Sequence, residues 1–410
     1  MRFVFFSMYD FSRDGGHPIR MYGILNTLAT KGYEVVFISN AKRKNNFHHT
    51  IVHIPLNQPF SDKQKMYLQF LLSVLPVSIV SLFYSRLLKQ IAAVLKGAVK
   101  NDETVYFFDY LDNSIAYILK KNNLIASYIN DAFGVAPVEF KIKAGLAKNI
   151  ISKGIIGLKY LSSKSLDKKV FNNGAGFIFA SIKMRAYYEK EIFTSQNHKS
   201  YIIPNLLDHG FIRTVNTDLK AELIKRFNIA KDSFIFLFSG AYKPTSGVDD
   251  LIVAFKRLYV DYPYPNLKLI LIGKGTLRYK CEDLAAGMQD SILFLNFIPY
   301  EELFTYHNIA HVIVCPDKMN PYSNMIIHLK YFDALVSGKL VINGNFDSVQ
   351  EINKDDFLSL SFDLSNADSL YQTMKNCIDN YDSLVVKYKD VSKYALEHLT
   401  YDAYIDVLNK

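Results

Sequence analysis

Three glycine-bearing segments stand where an apolar run gives way to a helical pattern, and each has the composition to receive an anion. Gly15-Gly16 follows Arg2–Ser7, the loop 240–247 with Gly240 and Lys243 follows Phe234–Ser239, and Gly273-Lys274-Gly275 follows Leu267–Ile272. Such a loop brings backbone N–H groups and a helix N-terminus to a phosphate. Two further strand-like runs, 105–109 (VYFFD) and 127–131 (SYIND), end in acids. Open α/β sheets bind their ligands at the carboxyl ends of strands, so Asn130 and Asp131 are candidates for ligand contact or for loop caps. No Walker A sequence, HExxH motif or Cys–His cluster is present, and His48-His49 reads as a surface pair.

The chain has 410 residues, half of them hydrophobic, which excludes a mainly disordered protein and provides for two or three cores. Its 48 Lys and Arg against 39 acids give a net charge of +9, which favours anionic partners. The three cysteines, Cys281, Cys315 and Cys377, are widely spaced, so neither a disulfide framework nor a cysteine zinc site is expected. The opening MRFVFFSMYD lacks the apolar core and cleavage site of a signal peptide, and a cytoplasmic location is expected. The basic residues alternate with aliphatics rather than with stacking aromatics, which speaks against nucleic acid as a partner.

The elements that must position these residues follow one grammar, used twice. Arg2–Ser7 reads as a buried strand, and Pro18 stands in the first turn of a helix whose Met21, Ile24, Leu25 and Leu28 recur at helical spacing. Glu34–Ser39 is the next strand. About 230 residues later the pattern restarts with Phe234–Ser239, a helix over 248–259, and Leu267–Ile272. Ile292–Leu295, 311–315 and 340–343 are further strand candidates. Two parallel, doubly wound α/β domains in tandem are predicted, with the connection near Ile203-Pro204-Asn205.

Two stretches in the first half break the grammar. Residues 66–84 run for about 19 positions without a charge, near the roughly 20 needed to span a bilayer. They read as a helical hairpin broken at Pro76, an interfacial segment, or a span. Residues 140–166 contain no acid but carry Lys141, Lys143, Lys148, Lys153, Lys159 and Lys164. Leu146, Ile150, Ile151, Ile155, Leu158 and Leu161 recur three to four apart, predicting a basic amphipathic helix interrupted at Gly154 and Gly157. Such a helix is a solvated surface element or adsorbs to an anionic membrane.

Taken in order, the phrases along the chain resemble the GT-B glycosyltransferases, and among them the retaining glycosyltransferase family four. Gly15-Gly16, Arg20 and Gly32-Tyr33-Glu34-Val35 are similar to the family's opening, and Ile203-Pro204-Asn205-Leu206-Leu207-Asp208 to its interdomain "IPNGVD". The segment 240–255 resembles "GR…KGVDLLIEAF", 272–278 resembles "IGDGPLR", and 297–303 (FIPYEEL) and 330–342 fit later phrases. The resemblance implies two Rossmann-like domains facing across a cleft. The first, 1–205, would bind acceptor; the second, 206–389, would bind donor, with a terminal helix near 390–410 packing back on the first.

The resemblance also implies roles. A basic pair in the loop after the second domain's first strand would hold the donor diphosphate, but Ala241 and Ser246 occupy those positions; Lys243, Lys274 and Lys330 are the available substitutes. Of the family's two acids with seven residues between them, the ribose acid falls at Asp333 and the other at Met325. Ser323 or Asn324, at a helix start, would then meet the sugar. Asp131 falls where the family has a histidine or acid beside the donor sugar. The donor-site candidates are therefore Gly15, Gly16, Gly240, Lys243, Gly273, Lys274, Ser323, Asn324, Lys330 and Asp333, with Asp131 and Lys243 catalytic. No cofactor or metal is implied, because the leaving phosphate itself helps deprotonate the acceptor.

The expected activity is transfer of a hexosyl residue, with retention, from a nucleotide diphosphate sugar to a glycan or lipid-linked glycan. The setting would be cell-surface polysaccharide synthesis of the O-antigen, capsule or lipopolysaccharide kind, at the inner face of the cell membrane. Lys143, Lys148 and Lys153 would contact the anionic surface. A non-catalytic membrane partner of a polysaccharide assembly complex and a GT-B nucleotide-sugar epimerase are the competing readings.

Overall fold

A computed structural model describes residues 1–9, 16–40, 47–57, 59–100, 103–132, 134–147, 149–194, 198–208, 214–262 and 266–409. The chain divides into two compact units, Met1–Gly210 with Tyr404–Lys410, and Phe211–Ala403.

The first unit runs β1 (Arg2–Ser7), α1 (Gly16–Thr30), β2 (Glu34–Ser39), β3 (Val52–Pro55), α2 (Asp62–Val74), α3 (Val77–Phe83) and α4 (Ser85–Ala98). It continues with β4 (Thr104–Phe108), α5 (Asp109–Lys121), β5 (Ser127–Ala132), α6 (Ala136–Leu146), α7 (Ile150–Phe171), β6 (Gly176–Phe179), α8 (Ile182–Glu191) and β7 (Lys199–Ile202). Its strands form one parallel sheet in the order β3-β2-β1-β4-β5-β6-β7. A sheet covered on both faces needs apolar residues on both, which is why β1 and β2 read as unbroken Val/Ile/Phe runs and are buried past their first residue. Met21, Ile24, Leu25 and Leu28 of α1 are fully buried, as their spacing predicts.

The second unit runs α9 (Thr217–Arg226), β8 (Phe234–Ser239), α10 (Val248–Asp261), β9 (Leu267–Ile272), α11 (Arg278–Leu284), β10 (Ile292–Leu295), α12 (Leu303–Ile309), β11 (Val312–Cys315), α13 (Leu329–Leu335), β12 (Leu340–Gly344) and β13 (Leu360–Phe362). Its parallel sheet has the order β10-β9-β8-β11-β12-β13, the doubly wound arrangement whose direction reverses between β8 and β11.

The two anomalous stretches are resolved locally. Residues 66–84 break at Pro76, which caps α3; Leu68, Leu72, Val77 and Val80 are buried, whereas Met66, Tyr67, Phe70, Leu82 and Phe83 are exposed. Among the described residues no single helix is long and apolar enough to cross a membrane. Only α3 with α4 reaches that composition, as a pair bent by 83°, and α4 buries Leu87, Leu88, Ile91 and Leu95. The predicted helix over 140–166 is two helices, and the break is not at a glycine. Gly154 and Gly157 lie inside α7, while Asn149 caps it by accepting from the Ser152 N–H at 2.7 Å. An asparagine cap satisfies a backbone donor, and an interior glycine costs only about 1 kcal/mol relative to alanine.

Candidate active site

In the second unit the switch point brings together residues from four segments. Gly247 caps α10 at φ 64°, and a Cβ there would stand 1.8 Å from the Pro316 carbonyl oxygen. Only glycine lets the loop after β8 lie against the chain leaving β11. Gly273 has the same function one strand away, where a Cβ would meet the Gly240 carbonyl oxygen at 1.9 Å. These glycines thus bring the strand-end loops into backbone contact. Lys318 then ties the chain after β11 to the first turn of α10, with Nζ 2.9 Å from both Asp249 Oδ1 and Asp250 Oδ1.

Lys330, on α13, crosses this junction. Its Nζ lies 2.6 Å from Asp317 Oδ2, its charge stands 5.1 Å from the centre of the Phe238 ring, and its stem passes beside Gly240. Asp317 is buried, so the pair is a fixed feature of the strand ends. An ammonium has three donors, and this carboxylate does not exhaust them. Half-buried His328, just before α13, places Nε2 3.3 Å from Ser323 Oγ. Its imidazole is held below its ordinary value by burial; Asp317 opposes this, and the charges of Lys330 and Lys243 reinforce it. All three charges therefore act on one small volume. Lys243 itself is exposed, and its loop is closed by Ser246, whose hydroxyl donates to the Lys243 carbonyl at 2.8 Å.

Asp333 is buried on α13 rather than facing solvent, and the Tyr300 hydroxyl donates to its Oδ1 at 2.6 Å. The expected helix start at Ser323 and Asn324 is corrected: α13 begins at Leu329, and both residues lie in a preceding turn. Asn320 organises that turn, accepting from the Ser323 N–H at 2.9 Å and donating to Ser323 Oγ at 2.8 Å. Asn324 is engaged with Asp347, accepting from its N–H at 2.8 Å and donating to its carboxylate at 3.1 Å. Lys274 is not drawn into the cluster; its Nζ lies 5.7 Å from the Phe297 ring centre, beyond β10. Among the described residues no three His, Cys, Asp or Glu side chains gather to hold a metal.

Fully buried His307 links α12 to this site, with Nε2 3.4 Å from Ser239 Oγ and a hydrogen bond to the Asp333 backbone. Burial pushes its imidazole down to about 4, and burial does the same to His311. Both therefore favour the fold when neutral. Their contribution is complete above the unfolded value near 6.5 and is lost as pH falls towards 4. Urea unfolding between pH 7 and pH 4 is expected to lose up to about 1.4 kcal/mol per pH unit for each histidine. Replacing both with Gln should flatten that slope.

In the first unit the strand ends hold a different arrangement. Asp131, at the end of β5, is buried and receives Arg20 Nε at one oxygen and Arg20 Nη2 at the other, both at 2.8 Å. Arg20 Nη1 donates to the Pro204 carbonyl at 2.7 Å. The pair fastens α1, β5 and the chain after β7 to one another. A carboxylate with both oxygens on one guanidinium is a structural anchor. Asn130 is fully buried, and neither its amide nitrogen nor its oxygen has a partner among the described residues. Gly15 and Lys148 lie outside the described residues, and Gly16 is the first residue of α1. Lys153 is exposed, and Lys143 pairs with Glu139 at 3.5 Å.

With this geometry in place, the chain can be set beside known proteins. Residues 220–398 match the glycosyl transferases group 1 family. The fold of the chain, two parallel-sheet α/β domains, is similar to that of GT-B structures. It superposes on sucrose-phosphate synthase from Thermosynechococcus elongatus with a TM-score of 0.72 at 16% identity, covering 100% of this chain and 96% of the other. Anabaena HepE in complex with UDP and glucose gives a TM-score of 0.68 at 13% identity, covering 100% and 98%. In sequence, the lipopolysaccharide 1,2-N-acetylglucosaminetransferase of Salmonella typhimurium is 23% identical over 194 residues, 45% of this chain and 48% of that protein. The chain spans about half the length of the curated relatives it matches.

Proposed function

We propose that the protein is a glycosyltransferase whose group 1 domain binds a nucleotide diphosphate sugar at the β8/β11 switch point. The observation that carries this is the convergence of Lys330, Asp317 and Lys243 at the strand ends of the second unit, with Asp333 one turn along α13 from Lys330, within the residues that match the family. Lys330 and Lys243 face the diphosphate, whose negative charge grows as the glycosidic bond breaks; fixed cations there favour the transition state over the bound donor. Asp333, steadied by Tyr300, receives the ribose hydroxyls. Gly240 and Gly273 shape the loops around the phosphates, and Ser323 and Asn324, in the turn before α13, are assigned to the sugar, with Lys274 outside the cluster. No protein nucleophile is assigned, and the reaction proceeds with retention and without a metal. Arg20 and Asp131 hold the acceptor-side strand ends in place rather than moving a proton.

The acceptor is a glycan on a lipid carrier, in cell-surface polysaccharide synthesis of the type named for the Salmonella relative. The support for a membrane setting is exposure. Ile150, Ile151, Leu158 and Leu161 of α7 point outward, 88% exposed at Ile150 and 64% at Leu161, with Lys153 among them. A helix that leaves its apolar stripe uncovered beside lysines suits an anionic bilayer surface, which supports a peripheral setting; the inner face of the membrane is our proposal.

A thermal-shift panel of nucleotide diphosphate sugars tests the activity. One or a few donors are expected to raise the melting temperature, equivalent to about 2.7 kcal/mol at 100 times the dissociation constant. A flat response across uridine, guanosine, cytidine, thymidine and adenosine diphosphate sugars would refute the donor assignment.

A further inference from the structure

A groove of about 510 Å³ lies among α2, α6 and α7 in the first unit, within the range of roughly 300–1,000 Å³ typical of small-molecule sites. Its lining is largely apolar, with Met66 and Phe70 from α2 and Phe140 from α6. Two cations enter it. The Lys159 ammonium stands 4.8 Å from the Phe70 ring centre and 5.8 Å from that of Phe140, and Lys143 stands 5.6 Å from Phe140. Glu139 also lines the groove and answers part of the Lys143 charge at 3.5 Å. Lys159 makes no ion pair with any described carboxylate.

An ammonium set over two phenyl rings in an apolar groove matches a ligand with one anionic group and one hydrocarbon chain. A bare phosphate would leave the ring faces wet, and an uncharged hydrocarbon would dehydrate Lys159 without replacing its water. The groove is continuous with uncovered apolar side chains on its own helices, Met66 and Tyr67 on α2 and Leu158 on α7, all more than half exposed. A chain longer than the groove would meet these apolar side chains where it leaves it.

We propose that this groove binds the phosphate-bearing end of a single-chain lipid, an isoprenoid or acyl phosphate, as the carrier part of the acceptor. The proposal rests on the reading above that the acceptor is lipid-linked. It adds the place and the chemistry of recognition: Lys159, seconded by Lys143, meets the phosphate, and Phe70, Phe140 and Met66 hold the first carbons of the chain.

Calorimetric titration of the full chain with farnesyl phosphate, below its aggregation concentration, is expected to reveal one saturable site. Farnesol and inorganic phosphate are the control probes, each expected at least about tenfold weaker because each satisfies half of the match. Lys159→Ala should weaken farnesyl phosphate about tenfold, and Phe70→Asp by more. Phe70 is 42% exposed, so neither change should alter the melting temperature. Ile150→Glu, on the outward face of α7, should leave this affinity intact while reducing sedimentation with anionic vesicles. Equal affinity for farnesol or phosphate, or an unchanged affinity in Lys159→Ala, overturns the site. Farnesyl phosphate failing where a nucleotide sugar binds rejects the groove and keeps the donor reading. Farnesyl phosphate binding where no nucleotide sugar does keeps the groove and rejects the enzyme.

Discussion

Asp131→Ala is expected to cost about 3–5 kcal/mol of stability, because it removes one partner of a buried ion pair. The side chains of Arg20 and Asp131 are 1% and 2% exposed, so water does not reach in to replace the missing carboxylate. The loss should spread to three elements at once, since Arg20 also holds the Pro204 carbonyl. Breaking a buried pair is costly, whereas exchanging both partners for apolar residues of similar volume is often close to neutral. Arg20→Met with Asp131→Leu is therefore expected to recover most of the stability lost in Asp131→Ala. Urea midpoints with unchanged slope would record both effects. A catalytic base behaves differently: its replacement removes turnover while the midpoint stays put. An Asp131→Ala protein as stable as the parent would show that the carboxylate is not an anchor.

Lys330→Met is expected to lower turnover by about 10²- to 10³-fold, with a smaller change in donor affinity. That is the scale seen when one fixed electrostatic contact to developing charge is removed. The ion pair with Asp317 complicates the single variant, because a buried carboxylate is left behind. Lys330→Met with Asp317→Asn removes that penalty and should restore stability without restoring turnover. Lys243→Ala is expected to act in the same direction but less, since its exposed ammonium is screened by water. Lys274→Ala should do least, its charge lying over Phe297. Equal and small effects at all three lysines would mean that backbone amides alone hold the diphosphate.

Where one side of an element faces the core, its sequence was readable. β1, β2, β8 and β9 appear as apolar runs because both sheet faces are covered, and α10 shows Leu251, Ile252 and Phe255 at helical spacing, all fully buried. β3, β6, β7 and β13 are three or four residues long, too short for any periodicity, and β3 is also a half-exposed edge with a proline. The break before α7 was legible in principle, since Asn149 stands at a capping position, but the two glycines drew the boundary the wrong way. At the candidate site, Lys243, Lys330 and Asp333 are proposed from the order of phrases along the chain. Asp317, His328, Tyr300 and His307 are not, because each belongs to another element and only the fold brings it in. Likewise the ion pair of Arg20 and Asp131 joins residues 111 positions apart, a relation that no local pattern carries.

The most direct test of the central claim is a calorimetric titration of the donor selected by the thermal-shift panel into the parent protein and Asp333→Ala. Ribose recognition through charge-assisted hydrogen bonds predicts a single site in the parent and a loss of about 1.5–3 kcal/mol in the variant. Asp333 is buried and bonded to Tyr300, so the melting temperature of the variant is read in parallel, and affinity is compared under conditions where both proteins are folded. Identical donor affinity in the two proteins would contradict the placement of the nucleotide sugar at the β8/β11 switch point.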